Sequence, residues 1–309
     1  GMQVGELTGF LSYVMQILNS LSMISNVFLT LTRSMASGSR ILEIIDEEVD
    51  ITDREAEDYD VKCGEIEFDH VYFRYRKDAP EDVLTDISLT ISAGSTFGII
   101  GQTGSAKSTL IQLIPRLYDA TRGEVRIDGI PVRKYPMEHL RDAIAVVLQK
   151  NTLFSGTLLE NLRWGKEDAA MEEIKKACRI ACADEFIDRL ADGYETEMGQ
   201  GGVNVSGGQK QRICIARAIL KQPKVLILDD STSAVDTATE ARIRTMLKEE
   251  LPEMTKIIIA QRISSVRHAD QILILDDGRV SDIGTHEELL ARNKIYQEIY
   301  ESQKEGAEL

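Results

Sequence analysis

Between Leu7 and Thr32 the chain carries no charged residue, and Leu, Ile, Val, Met and Phe dominate the run. As an α-helix this run would extend roughly 39 Å at about 1.5 Å per residue, more than the about 30 Å of a bilayer's hydrocarbon core. A segment of this kind has two solutions: a membrane span, or a long amphipathic helix inside a soluble bundle. Ser12, Gln16, Asn19, Ser20, Ser22, Ser25 and Asn26 interrupt it. Such side chains are costly against lipid, so they are expected to face other helices or a water-filled path. A secretory signal peptide does not fit, because the start is not basic and the apolar stretch is too long. Arg33 and Arg40 follow the run, as positive residues do at a cytoplasmic membrane boundary. Ile41, Leu42, Ile44 and Ile45 continue a helical pattern over 34–45, and the strongly acidic stretch Asp46 to Asp60 then reads as a linker.

The charge balance narrows the partners. Lys plus Arg is 36 against Asp plus Glu 51 in 309 residues, a formal net charge of -15. Non-specific binding of nucleic acid needs a positive surface, so no nucleic-acid partner is expected. With 43% hydrophobic and 28% charged residues the chain can bury a substantial core. Its mean hydropathy of -0.17 is that of a soluble protein, which makes any membrane character local. The cysteines at 63, 178, 182 and 214 form no CxxC pair, and the four histidines are scattered. That pattern suits a reducing compartment and argues against a disulfide framework or a zinc site.

From about Glu65 the texture changes to short β-runs alternating with helices. Residues 65–68, 71–75 and 84–91 read as antiparallel strands by alternation and turn residues. The apolar runs 96–100, 144–148, 225–228, 256–259 and 271–275 suit buried strands of a parallel sheet. Helical patterns are expected at about 107–118, 171–181, 207–221 and 237–250. The alternation predicts an α/β domain with an antiparallel β appendage.

Three motifs carry chemistry. Gly101-Gln102-Thr103-Gly104-Ser105-Ala106-Lys107-Ser108-Thr109 follows an apolar strand and opens a helix, the context that a phosphate-binding loop requires. Loop N–H groups would meet phosphate oxygens, Lys107 would reach the β- and γ-phosphates, and the Ser108 hydroxyl would coordinate magnesium. Ala106 stands where glycine is usual; its methyl is tolerable if φ is negative and Cβ points away from the nucleotide. Val225-Leu-Ile-Leu-Asp229-Asp230 is a buried strand ending in acids, and ligands of open α/β sheets bind beyond the carboxyl ends of strands. Asp229 can therefore hold magnesium directly or through water. Ser206-Gly207-Gly208-Gln209 opens another helix, either as a second anion site or as an ordinary N-cap.

In this order the motifs resemble the nucleotide-binding domain of an ATP-binding cassette (ABC) transporter of the exporter type, over roughly residues 65–305. The resemblance implies a P-loop NTPase α/β fold with a parallel core sheet, an antiparallel β subdomain and a helical subdomain, preceded by one transmembrane-type helix. It implies ATP and Mg2+ as cofactors. Tyr75 matches the aromatic that stacks on adenine. Gln149 matches the Q-loop glutamine, which touches the magnesium site. Ser206–Gln209 match the signature, Ser233-Ala-Val-Asp236 the D-loop, and Thr285-His-Glu-Glu-Leu289 the start of a C-terminal helix. Residues 1–45 then look like the last transmembrane helix of a six-helix domain, 46–63 like a linker, and 64–309 like the cassette. The chain would be the C-terminal part of a multi-pass cell-membrane protein, with its cassette on the cytoplasmic side.

Three departures cluster at one nucleotide. The family's catalytic glutamate is Asp230 here, one methylene shorter, so its carboxylate falls short of an attacking water by roughly 1 Å; a displacement of about 1 Å can cost on the order of 100-fold in rate. The switch histidine is Gln261, which can donate a hydrogen bond but cannot shuttle a proton as imidazole can. Ala106 lies in the same site, and Gln200 stands where exporters often carry a glutamate. The signature is intact. In this family two cassettes sandwich two ATPs, each between one chain's phosphate loop and the other's signature. The pattern resembles the degenerate half of a heterodimeric exporter, whose partner would be a second ABC exporter half and whose cargo would be a small molecule, lipid or peptide. Two alternatives stay open: a homodimer that hydrolyses slowly at both sites, and a non-transport ABC ATPase.

Overall fold

A computed structural model of the chain describes residues 4–76, 78–199, 201–230 and 234–305. Two compact units result, residues 1–52 and residues 53–309.

The first unit is essentially one helix, α1 (Val4–Ile45), none of whose residues is buried within the unit. At 42 residues it is long and apolar enough to cross a membrane. By the 3.6-residue period Ser12, Gln16, Asn19 and Asn26 share one face, whereas Ser25 lies opposite. The hydroxyls of Ser20 and Thr32 donate back to Gln16 O and Phe28 O, which satisfies them inside an otherwise apolar run.

The second unit is built on two sheets. One is antiparallel: β1 (Ile66–Phe73), β2 (Leu84–Ile91), β4 (Arg122–Ile127) and β5 (Ile130–Pro131), in the order β2-β1-β4-β5. The two short strands expected at 65–68 and 71–75 are one strand, β1, with its register irregular between Phe68 and Phe73. The expected break was a bulge, at which His70 takes a positive φ. The other sheet has six strands in the order β12-β11-β3-β10-β9-β6, where β3 is Thr96–Ile100, β6 Ile144–Val147, β9 Val225–Asp229, β10 Thr255–Ile259, β11 Gln271–Asp276 and β12 Arg279–Gly284. All pairings are parallel except β11 with β12. Between lie α2 (Lys107–Gln112), α3 (Met137–Asp142), α4 (Leu158–Arg163), α5 (Met171–Ile180), α6 (Asp184–Ile187), α7 (Gly207–Leu220), α8 (Thr237–Glu250) and α9 (Ile263–Val266). A two-strand ribbon pairs β7 (Gly156–Thr157) with β8 (Glu197–Met198), and α10 (His286–Arg292) and α11 (Lys294–Glu305) close the chain. The helix expected over 107–118 ends as a helix at Gln112 and continues as turns.

Why the central strands are unbroken apolar runs is visible in their packing. In β9, Val225 and Ile227 enter the core on one side of the sheet, and Leu226 and Leu228 the core on the other. Successive side chains of a strand alternate faces, so a strand covered on both sides needs apolar residues at every position. Residues 53–60, expected as linker, pack on this unit: the Met137 N–H donates to Asp53 at 3.1 Å, the Glu57 N–H donates to Lys134 O at 2.8 Å, and Lys134 pairs with Glu57 at 3.1 Å.

Candidate functional site

Parallel pairing sends the carboxyl ends of β3, β6, β9 and β10 to one edge of the sheet. Ile259 pairs with Ile99 on one side and with Asp229 on the other, so the turns after β3, β9 and β10 are immediate neighbours.

The turn after β3 is Gly101–Ala106. A Cβ at Gly101 would lie 2.1 Å from Leu275 O, and Gly104 takes φ +88, so both glycines are required by geometry. Lys107 opens α2, and its ammonium donates to Gly101 O and Gln102 O, each at 2.8 Å. The lysine thus folds back over the loop and holds its carbonyls. Burial pulls its pKa below the ordinary lysine value, with the charges of Asp229 and Asp230 opposing that pull. Ser105 and Thr109 are buried, whereas Gln102, Thr103 and Gly104 are exposed. Ala106 does not have the negative φ expected of it. It sits at φ 69, ψ 22, in the left-handed region. A Cβ there crowds the following carbonyl, at a cost of about 1–2 kcal/mol that glycine would avoid.

The acids close the site. The Ser108 hydroxyl donates to Asp229 Oδ2 at 2.9 Å. Asp230 has φ 47 and is anchored by its N–H to Ile259 O. Its Oδ2 accepts from Gln149 Nε2 at 2.9 Å and from Gln261 Nε2 at 3.1 Å. An ionised carboxylate only accepts, which sets both glutamines with their NH2 groups inward. Burial raises the pKa of both aspartates above the ordinary value; at Asp230 the Gln149 hydrogen bond opposes the rise and the charge of Asp229 adds to it.

Residues for a divalent cation are at hand. Ser108 Oγ and Asp229 Oδ2 are two hard oxygens in contact, and Mg2+ is held by one or two protein oxygens completed by phosphates and water. Among the described residues there is no group of three or more His, Cys, Asp or Glu that could hold a metal ion.

The remaining expected residues fall in two places. Tyr75 is half exposed and stands beside α2, its hydroxyl hydrogen-bonded to Thr109 Oγ1 at 2.9 Å, with Phe73 and Tyr118 edge-on to its ring. Ser206 to Gln209 begin α7 as a capping box: the Ser206 N–H donates to Gln209 Oε1 at 2.8 Å and the Gln209 N–H donates to Ser206 Oγ at 3.3 Å. No hydrogen bond among the described residues joins this segment to the phosphate loop. Ser206 and Gly207 are exposed, open to another molecule. A Cβ on Gly208 would meet Ala234 O at 2.7 Å, so this glycine lets the helix start approach the segment after β9. Ser233 and Gln200 lie outside the described residues. Thr285 caps α10 with a box to Glu288, where a helix start was expected.

One residue at this edge has no local sequence signal. Gln303 of α11 hydrogen-bonds the backbone of Gln261 and Ile263. Nothing in a helix near the chain end marks one glutamine as reaching a turn some 40 residues away.

Comparison with known proteins fits this geometry. Residues 84–233 match the ABC transporter family model. The chain is 46% identical over 308 residues to the uncharacterized ABC transporter ATP-binding protein YfiB of Bacillus subtilis (strain 168), covering 99% of this chain and 53% of that protein. It is 37% identical over 302 residues to an ATP-dependent lipid A-core flippase of Legionella pneumophila (strain Paris), covering 98% and 51%. Among solved structures, a bacterial Atm1-family ABC exporter with ATP bound superposes with a TM-score of 0.82 at 34% identity, over 97% of this chain and 53% of that one. The chain thus spans about half the length of the relatives it matches.

Proposed function

Because the chain carries an ABC transporter ATP-binding cassette, of the ATPase type and preceded by a long apolar helix, we propose that it is the ATP-driven part of a membrane exporter. Residues 1–45 act as the last helix of a multi-pass membrane domain and 64–309 as the cytoplasmic cassette, joined through 46–63. A transported small molecule, lipid or peptide is the cargo, and the relative named as a lipid A-core flippase keeps lipid among these classes.

ATP is held by the loop amides of Gly101 to Thr109, by Lys107 and by the ring of Tyr75. Ser108 and Asp229, with Gln149, would hold Mg2+, which would supply neutralisation of phosphate charge. During hydrolysis water attacks the γ-phosphorus, the bond to the β-phosphate oxygen breaks, and Asp230 is the group placed to accept the water's proton. Gln261 serves as a neutral donor towards the γ-phosphate.

This site turns over slowly. The observation that carries this reading is that the short Asp230 carboxylate is already engaged by two amides, from Gln149 and Gln261. To act as a base it has to exchange those donors for the water, from a position one methylene short of a glutamate's. The Ser206–Gln209 segment, exposed at Ser206 and Gly207, completes a competent site on a different partner chain, so the working assembly is a heterodimer with a second ABC exporter half.

Site-resolved single-turnover hydrolysis in the reconstituted full-length protein and its co-purified partner tests the reading. Slow release of phosphate at the Asp230 site and fast release at the other is expected. Equal, fast release at both sites would sink the degenerate assignment. Full activity of the purified protein alone would replace the heterodimer by a homodimer.

A further inference from the structure

We propose that Gln303 is a positioning residue for the nucleotide site, through which the C-terminal helix α11 sets where the Gln261 side chain stands. Its carboxamide grips the turn after β10 from both ends. Gln303 Oε1 accepts from the Ile263 N–H at 2.9 Å, and Gln303 Nε2 donates to Gln261 O at 2.7 Å. A peptide N–H can only donate and a peptide C=O can only accept, so these two partners dictate the orientation of the amide and leave no alternative flip. An acid, an alcohol or a shorter amide could not make both bonds from the same place.

The grip lies one covalent step from the chemistry. The residue whose carbonyl is the first anchor sends its own side chain to Asp230: Gln261 Nε2 reaches Asp230 Oδ2, the oxygen that Gln149 also donates to. Ile263, at the other anchor, is the first residue of α9. The helix that carries Gln303 is itself fixed. Tyr296 is completely buried, its hydroxyl shares a 2.8 Å hydrogen bond with His286 Nδ1, and its N–H is capped by Asn293 Oδ1 at 3.0 Å. A continuous set of contacts therefore runs from the α10–α11 pair, through one side chain, to the backbone on either side of Arg262, and from the adjoining Gln261 side chain to Asp230. Release of Gln303 would leave the Gln261 carbonyl and the Ile263 amide without these partners and let the Gln261 side chain drift from Asp230.

The proposal rests on the reading of this edge as an ATP site, and the test separates the two. In the full-length protein reconstituted with its partner, Gln303→Glu keeps the size of the side chain but turns a second acceptor towards the Gln261 carbonyl; Gln303→Ala removes both bonds. Both variants are expected to slow single-turnover hydrolysis at the Asp230 site about tenfold while Mg-ATP affinity stays within about twofold, inside the roughly hundredfold that a 1 Å misplacement can cost. Amide hydrogen exchange at Ile263 should accelerate in Gln303→Ala, which removes its acceptor, with the phosphate loop unchanged. Wild-type turnover in Gln303→Glu with nucleotide still bound, or unaltered exchange at Ile263 in Gln303→Ala, would overturn the positioning role. Failure of the unmodified protein to bind Mg-ATP would instead remove the site reading itself.

Discussion

Gln261 Nε2 donates to Asp230 Oδ2 at 3.1 Å, so the side chains that follow β10 and β9 are bonded to each other. Changed singly, either residue meets a partner suited to the other state. A glutamate at 230 would push its carboxylate into the two amides, and a histidine at 261 would face a carboxylate placed too far back. The pair Asp230→Glu with Gln261→His is therefore expected to speed own-site hydrolysis by about 100-fold, and each single change by much less. Single-turnover phosphate release checks this; additive single effects would refute the coupling.

Lys107 donates to Gly101 O and Gln102 O within its own loop. Lys107→Ala removes both the internal tie and the cation for the phosphates. A loss of at least about tenfold in Mg-ATP affinity, or about 1.4 kcal/mol, is expected by equilibrium titration.

Ala106 stands at φ 69 where a glycine would sit without strain. Ala106→Gly should stabilise the cassette by about 1 kcal/mol, the left-handed penalty less the entropy glycine adds to the unfolded chain. The midpoint of denaturant unfolding reports it, and a lower midpoint would contradict the strain.

Gly208 has no room for a methyl, since Ala234 O would lie 2.7 Å from it. Gly208→Ala must push the start of α7 away from the segment after β9. Turnover at the partner chain's site is expected to fall by about tenfold or more, as misplacement of a remote group can do, while Mg-ATP binding at Lys107 holds. Loss of binding at the chain's own site would argue against the division of labour.

Burial raises the pKa of Asp230 above its ordinary value of 3.8. The folded chain then binds this proton more tightly than the unfolded chain. The group's contribution to stability is complete below the unfolded value and is lost as pH rises through the raised folded value. Asp230→Asn keeps an oxygen to accept both glutamines and removes the charge. It should stabilise the nucleotide-free protein at about pH 7 and give no gain at about pH 3. Thermal unfolding across that range would show it.

Much of this protein is local in origin. The charge-free run from Leu7 to Thr32 could only become a long apolar helix. The runs at 96–100, 225–228 and 256–259 suit burial on both faces, because apart from Thr96 and Lys256 they hold only apolar residues and one glycine. Lys107, Ser108 and Asp229 could be named from spacing, because a strand that ends in a glycine turn or an acid puts that group at a sheet edge whatever surrounds it. The bulge in β1, the strands β4 and β12, and the sign of φ at Ala106 were not legible. Pairing with distant strands sets the first two, and closure of the loop over Lys107 sets the third.

Neither was the meeting of Gln149, Gln261 and Asp230 on one oxygen, nor the grip of Gln303 on the turn beside them. These contacts join segments separated by 31 to 81 residues. Composition and period act over a few residues and determine which elements form. Only the parallel order of the sheet brings the ends of β6, β9 and β10 together, and only the approach of α11 to the turn after β10 puts Gln303 on Gln261 and Ile263.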